Sequence, residues 1–163
     1  WLDIADIAAI HERAAELSRA LGIRIGIDNR AAVQGADTVI VCLKPQMVLR
    51  TLRQLRSDGV VRAAQLYVSI AAGVSNKELE SALEVPCAVL RAMPNTPCAI
   101  GRGTTVLSPG ARAERSHLEL AHRVFDRLGA TLELEEKHLN TVTGLSGSIP
   151  RSTSPLQDPG ADC

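Results

Sequence analysis

From residue 12 onward the apolar positions fall into short blocks whose period alternates between helical and extended. Residues 12–21 carry helix formers closed by Gly22, a glycine placed to end a helix. Ile23-Arg24-Ile25-Gly26-Ile27 alternates with period two and predicts a short strand. Asp28-Asn29 offers an N-cap for a brief helix over residues 30–34, stopped by Gly35. Thr38-Val39-Ile40-Val41-Cys42-Leu43 is a continuous β-rich run, expected to be buried on both faces. Lys44-Pro45 ends it, and residues 47–55 return as an amphipathic helix. A strand over 66–70, a turn at Ala71-Ala72-Gly73-Val74 and a helix over 75–83 come next. Ser75-Asn76-Lys77-Glu78 has the Ser-x-x-Glu form of a capping box at that helix start. Strands are predicted over 87–91, 104–107 and 131–134, with a long amphipathic helix over 111–128 closed by Gly129. Strands alternating with helices imply right-handed βαβ units and a mostly parallel, doubly wound α/β sheet. Residues 149–163 hold three of the eight prolines and no periodic apolar face, which predicts a disordered tail.

One stretch stands out chemically. Two prolines flank Asn95-Thr96 in Arg91-Ala92-Met93-Pro94-Asn95-Thr96-Pro97, and neither suits a helix interior or a central strand. A rigid polar loop is expected there, directly after the buried strand at 87–91. Open α/β sheets place their ligand contacts at the carboxyl ends of strands, so this loop is a candidate site.

Composition narrows the partners. At 163 residues, one domain with a core of ordinary size is expected. Trp1, Tyr67 and Phe125 are the only aromatics, so that core is built from Val, Ile, Leu and Ala. Eighteen residues of each charge, with no basic block, argue against nucleic acid or an anionic membrane as partner. Cys42, Cys87, Cys98 and Cys163 are widely spaced, without a Cys-x-x-Cys pair, so neither zinc nor a disulfide framework is expected. With no apolar run of about 18 residues and no signal-peptide pattern, a cytoplasmic location is expected. His11, His117, His122 and His138 lack metal or triad spacing and read as surface residues. Nothing beside Cys42 or Cys98 would activate a thiolate, so covalent catalysis is not expected.

Four motifs in register carry a family resemblance. Cys42-Leu43-Lys44-Pro45-Gln46, Ser69-Ile70-Ala71-Ala72-Gly73-Val74-Ser75, Arg91 to Pro97, and Val142-Thr143-Gly144-Leu145-Ser146-Gly147-Ser148 occur in that order. Together they resemble the pyrroline-5-carboxylate reductases, from roughly Ala5 to Ser148. The resemblance implies a Rossmann-like domain and reduction of 1-pyrroline-5-carboxylate to L-proline with NADP or NAD as cofactor. It implies that Cys42, Leu43, Lys44 and Pro45 run along the nicotinamide half of the cofactor. By the same resemblance Ala71, Ala72 and Gly73 let the backbone approach the nicotinamide, and Asn95 and Thr96 cover the nicotinamide and substrate pocket. Asn29 matches a contact on the adenosine side, although an N-cap role explains it nearly as well. The catalytic residues stay unassigned, and no metal is implied.

Departures from the family shape the expectation further. The family's opening strand, Gly-x-Gly-x-x-Gly-like loop and helix are absent, so the sheet is expected to be incomplete, with exposed strand edges. The stretch Ala8-Ala9-Ile10-His11-Glu12-Arg13 lacks the Ser, Thr or Asp that meets the adenosine ribose, leaving Arg13 as a candidate partner for a 2′-phosphate or as plain solvated charge. After Ser148 the family's Gly-Pro-Ala-Tyr and helical dimerisation domain do not follow. Together with the initial Trp, this predicts a fragment: residues 1–148 a partial dinucleotide-binding domain and 149–163 a tail foreign to the family. The family forms homo-oligomers, but such a fragment would dimerise and turn over poorly. Two other readings stay open: a related hydroxy-acid dehydrogenase-type domain, and a non-catalytic nucleotide-binding module.

Overall fold

The computed structural model describes residues 4–139, with side chains from residue 12 onward. The expected tail at 149–163 and the motif at 142–148 lie outside the described residues. In chain order the elements are α1 (Ile4–Leu21), α2 (Asn29–Val33), β1 (Thr38–Val41), α3 (Pro45–Ser57), β2 (Leu66–Ser69), α4 (Asn76–Leu83), β3 (Ala88–Pro94), β4 (Gly103–Pro109), α5 (Arg115–Phe125) and β5 (Gly129–Glu133). A 3₁₀ turn, Thr96–Ile100, joins β3 to β4.

The five strands form one sheet in sequential order. β1, β2 and β3 pair in parallel, β4 runs antiparallel to β3, and β5 is parallel to β4. Alternate residues of each strand feed two separate cores. Val41, Tyr67 and Val89 pack with α3 and α4 through Val48, Leu52, Leu79 and Leu83. Leu66, Val68, Ala88, Leu90 and Leu107 pack on the other face against Leu118, Ala121 and Phe125 of α5. Helices on both faces of a mostly parallel sheet are the doubly wound, Rossmann-like arrangement that the alternating pattern predicts.

Local chemistry sets the helix starts. Ser75 Oγ accepts the Glu78 amide while Glu78 accepts the Ser75 amide at 2.8 Å, which completes the expected capping box. Asp28 caps α2 by accepting the Arg30 amide at 2.9 Å. Asn29 is therefore the first helical residue and not the cap. Pro45 opens α3 at a position whose amide needs no helical partner.

Four expectations need correction. Residues 23–27 are not a strand: none of the described strands pairs with them, and Ile23 and Ile27 stand 52% and 56% exposed. The β1 run is not buried on both faces, because β1 is an edge strand and Ile40 is 43% exposed. The strand before Asn95 continues through Met93 and Pro94, which pair with Val106 and Thr105 of β4. Pairing with β2 ends at Arg91, so Pro94 sits where only one side of the strand is used and its missing amide costs nothing. The helix expected over 111–128 starts only at Arg115, where Glu114 is the N-cap and its amide donates to His117 Nδ1 at 3.0 Å; before it, Gly110 N–H donates to the Val89 carbonyl at 2.9 Å and Ala111 N–H to Glu80 Oε1 at 2.7 Å.

Candidate functional site

Because β1, β2 and β3 are parallel and in register, their carboxyl ends open on the same edge of the sheet. Cys42-Leu43-Lys44-Pro45 leaves β1, Ala71-Ala72-Gly73 follows β2, and Asn95-Thr96 follows β3. The first two loops are tied where they leave the sheet, since Ile70 N–H donates to the Val41 carbonyl at 3.2 Å. Three of the four sequence-predicted clusters are thus brought to one end of the sheet. The fourth, Asn29, joins through a largely apolar cavity of about 270 Å³ that it lines with Val33, Val41, Cys42, Leu43 and Leu52.

Each loop has a local reason for its shape. Ser69 Oγ accepts the Ala71 amide at 3.3 Å and starts the turn. Gly73 then adopts φ +75°, a left-handed conformation that a side chain disfavours. Ala71 is buried, whereas Ala72 and Gly73 face solvent and present bare backbone to any ligand at this edge. Lys44 is the N-cap residue of α3 without a side-chain capping bond, and its side chain is exposed. Thr96 is exposed at the start of the 3₁₀ turn.

Asn95 is the most constrained polar group of the set. Its backbone amide donates to the Thr104 carbonyl at 3.2 Å, and its Oδ1 accepts the Thr104 amide at 2.8 Å. Cys98 Sγ lies 3.8 Å from the same oxygen. Since a backbone N–H can only donate, the amide flip of Asn95 is fixed. Oδ1 faces Thr104 and Cys98, and Nδ2 has no acceptor among the described residues.

Behind this edge lies a buried polar group that sequence reasoning missed. Arg91, on β3, is 4% exposed and donates Nη1–H to Glu136 Oε1 at 2.9 Å. The same oxygen accepts the Asn76 amide at the start of α4 at 2.7 Å. Asn76 Nδ2 donates to the Ser108 carbonyl at 3.3 Å. One carboxylate thus links β3, the α4 N-terminus and the helical residues 136–139 that precede the motif at 142–148. An arginine inside the apolar run Cys87-Ala88-Val89-Leu90-Arg91-Ala92 was the available signal, because a buried cation requires an anion.

The remaining candidates contribute little chemistry. Burial pushes the Cys42 and Cys87 thiols up, which keeps both protonated and weakly nucleophilic. Burial, with a smaller push from Cys87, raises the Tyr67 phenol to about 12, so it serves as a neutral core group bonded to Gln65. Among the described residues no cluster of His, Cys, Asp or Glu is arranged to hold a metal ion.

A doubly wound sheet with bare-backbone loops, a fixed amide donor and an adjoining apolar cavity at its strand carboxyl ends defines a Rossmann-like domain of the nicotinamide-dinucleotide type. Residues 7–73 match the family model described as "NADP oxidoreductase coenzyme F420-dependent". The chain is similar to the pyrroline-5-carboxylate reductases in both sequence and fold. It is 33% identical over 147 residues to the enzyme of that name from Methanosarcina acetivorans, covering 90% of this chain and 54% of the relative. The Corynebacterium melassecola reductase is 34% identical, covering 85% of this chain and 52% of the relative. The solved structure of the Coxiella burnetii reductase superimposes with a TM-score of 0.75 at 27% identity, covering 82% of this chain and 49% of that one. The chain spans about half the length of the relatives it matches.

Proposed function

We propose that this chain forms the cofactor-binding part of an NAD(P)H-dependent reduction of 1-pyrroline-5-carboxylate to L-proline. The convergence of the loops at 42–45, 71–73 and 95–96 on one sheet edge carries the reading, together with the similarity to reductases of that name. The residues present fit the cofactor. Gly73, in a left-handed turn, and exposed Ala72 permit close approach of a flat ring, and Asn95 Nδ2 offers a donor to a carboxamide or carboxylate oxygen. The cavity at Asn29 adds an apolar seat for the adenosine end.

When bound, the cofactor supplies a hydride for the imine carbon, and the imine nitrogen takes up a proton to give the ring amine. This chain's own residues bind and orient. The β1 and β2 loops form the floor on which two planar molecules stack, and the Asn95 turn is locked to Thr104 so that its donor is preorganised. No acid or base is assigned to the protonation step from these residues.

Residues 1–148 act as the dinucleotide-binding unit in this reading and 149–163 stand apart from it. The chain works in the cytoplasm on a small-molecule substrate, as part of a homo-oligomer when the helical half found in the family accompanies it. Two facts are consistent with this: no helix among the described residues is long and apolar enough to cross a membrane, and Cys42, Cys87 and Cys98 are free thiols.

The test has two arms. Calorimetric titration with NADPH and NADH asks whether the site takes a dinucleotide, and binding of neither removes the reading. Oxidation of the reduced cofactor is then followed at saturating 1-pyrroline-5-carboxylate. Proline formation assigns turnover to this chain alone, whereas binding without turnover restricts it to a cofactor module.

A further inference from the structure

β5 is an edge strand of the described sheet, and none of its residues is buried. It pairs with β4 along one side, and Leu132 at its centre stands 52% exposed. A strand with so little apolar burial lies at the low end of local stability, so its other attachments decide how firmly it is held. Those attachments are polar. His122, in the last turn of α5, meets two side chains of β5 through its two ring nitrogens. Nε2 lies 2.7 Å from Glu133 Oε1, and Nδ1 is bonded to Thr131 Oγ1.

The ends of this chain of contacts fix where its protons are. Thr131 has one hydroxyl proton, which goes to Asp126 Oδ1 because a carboxylate only accepts. The Thr131 oxygen must then receive a proton from Nδ1. Glu133 is also an acceptor, so Nε2 donates as well. Both ring nitrogens carry hydrogen, and the ring is an imidazolium. A neutral ring has a single N–H and gives up either the Glu133 bond or the Thr131–Asp126 bond.

The surroundings favour the cation. Asp126 and Glu133 supply two carboxylates, and the carbonyl end of α5 adds the negative pole of the helix. Arg115 shares Glu133, its Nη1 lying 3.1 and 3.3 Å from the two oxygens, while its Nε lies 3.5 Å from Glu119. Glu119 and Arg123 complete the charged groups beside the ring. We propose that His122 is a proton-operated latch, which holds β5 against α5 when protonated and frees the edge strand when it loses a proton. The latch is whole in mild acid and is lost as pH rises through the neutral range, where imidazoles change charge. β5 leads directly into Leu134, whose amide donates to the Leu107 carbonyl at 3.0 Å, and then to Glu136, the partner of buried Arg91. Release of β5 therefore loosens the chain next to the carboxylate that closes the Arg91 network.

NMR of the full chain tests the latch in two ways. Ring correlations should show both His122 nitrogens protonated at about pH 6. Amide exchange of residues 131–134, referred to the unstructured rate at each pH, should lose about fivefold in protection between about pH 6 and about pH 8. The ring and Glu133 are 24% and 34% exposed, and solvent screening keeps the effect to that size. His122→Gln should show the weaker protection at both pH values, with a change of less than about twofold between them. A ring with one proton at about pH 6, unchanged protection of 131–134, or the same pH dependence in His122→Gln would each overturn the proposal.

Discussion

Removing the Glu136 carboxylate is the sharpest test of what holds the candidate site together. In Glu136→Ala, Arg91 Nη1 loses its only acceptor among the described residues, where Nε and Nη2 already have none. The guanidinium stays at 4% exposure and carries an uncompensated charge. Breaking a fully buried pair from one side costs about 3–5 kcal/mol, and an exposed pair contributes about 1 kcal/mol or less. Glu136 is 32% exposed, so solvent screens part of the interaction, and about 2–3 kcal/mol is expected. For a chain of this size that is a fall in Tm of roughly 5–10 °C. Glu136→Gln retains a carbonyl acceptor for the Asn76 amide and should lose about half as much. Urea unfolding and calorimetry of both variants read the two values. A Glu136→Ala variant within about 0.5 kcal/mol of the unaltered protein would refute the reasoning, because that is the change expected of an ordinary surface site.

Other consequences follow from single contacts. A Cβ on Gly129, at φ +136°, would collide with the Gly103 backbone, whereas one on Gly26 meets nothing within 4 Å. Gly129→Ala should therefore cost on the order of 3 kcal/mol in urea unfolding and Gly26→Ala almost nothing. Hydrogen bonds from Ser75 hold the Glu78 carboxyl below its ordinary value of 4.5. A depressed folded value adds stability at neutral pH that is lost as pH falls below about 4.5 and through the folded value. Melting curves of Glu78→Gln should thus differ from those of the unaltered protein at pH 7 and approach them in acid. Cys87 is 1% exposed and its thiol is pushed up by burial, so a thiol reagent should label it only at the rate at which the domain opens, well after Cys42.

Local chemistry was legible in the sequence, and partnership across the chain was not. The Ser75–Glu78 box, the Asp28 cap, Pro45 at a helix start and the buried strand β2 all follow from residues within a few positions of one another. The alternation over residues 23–27 is a real pattern, but a strand needs a neighbour, and none of the described residues pairs with it. Pro94 belongs to β3 because β4 folds back against it, and the turn at 110–114 is tied to distant residues, Gly110 to Val89 and Ala111 to Glu80. The residues at 42–45 and 71–73 follow strand ends as expected, since the ends of β1 and β2 are set by short-range apolar runs. The Arg91–Glu136 link joins residues 45 positions apart, and no local period announces it.

The most direct measurement is an amide-resolved NMR titration of the chain with NADPH. The account predicts saturable shifts concentrated at residues 42–45, 71–73 and 95–96 on the carboxyl edge of β1–β3, and at Asn29 in the adjoining cavity. The absence of saturable shifts, or shifts confined to the opposite edge of the sheet, would contradict it.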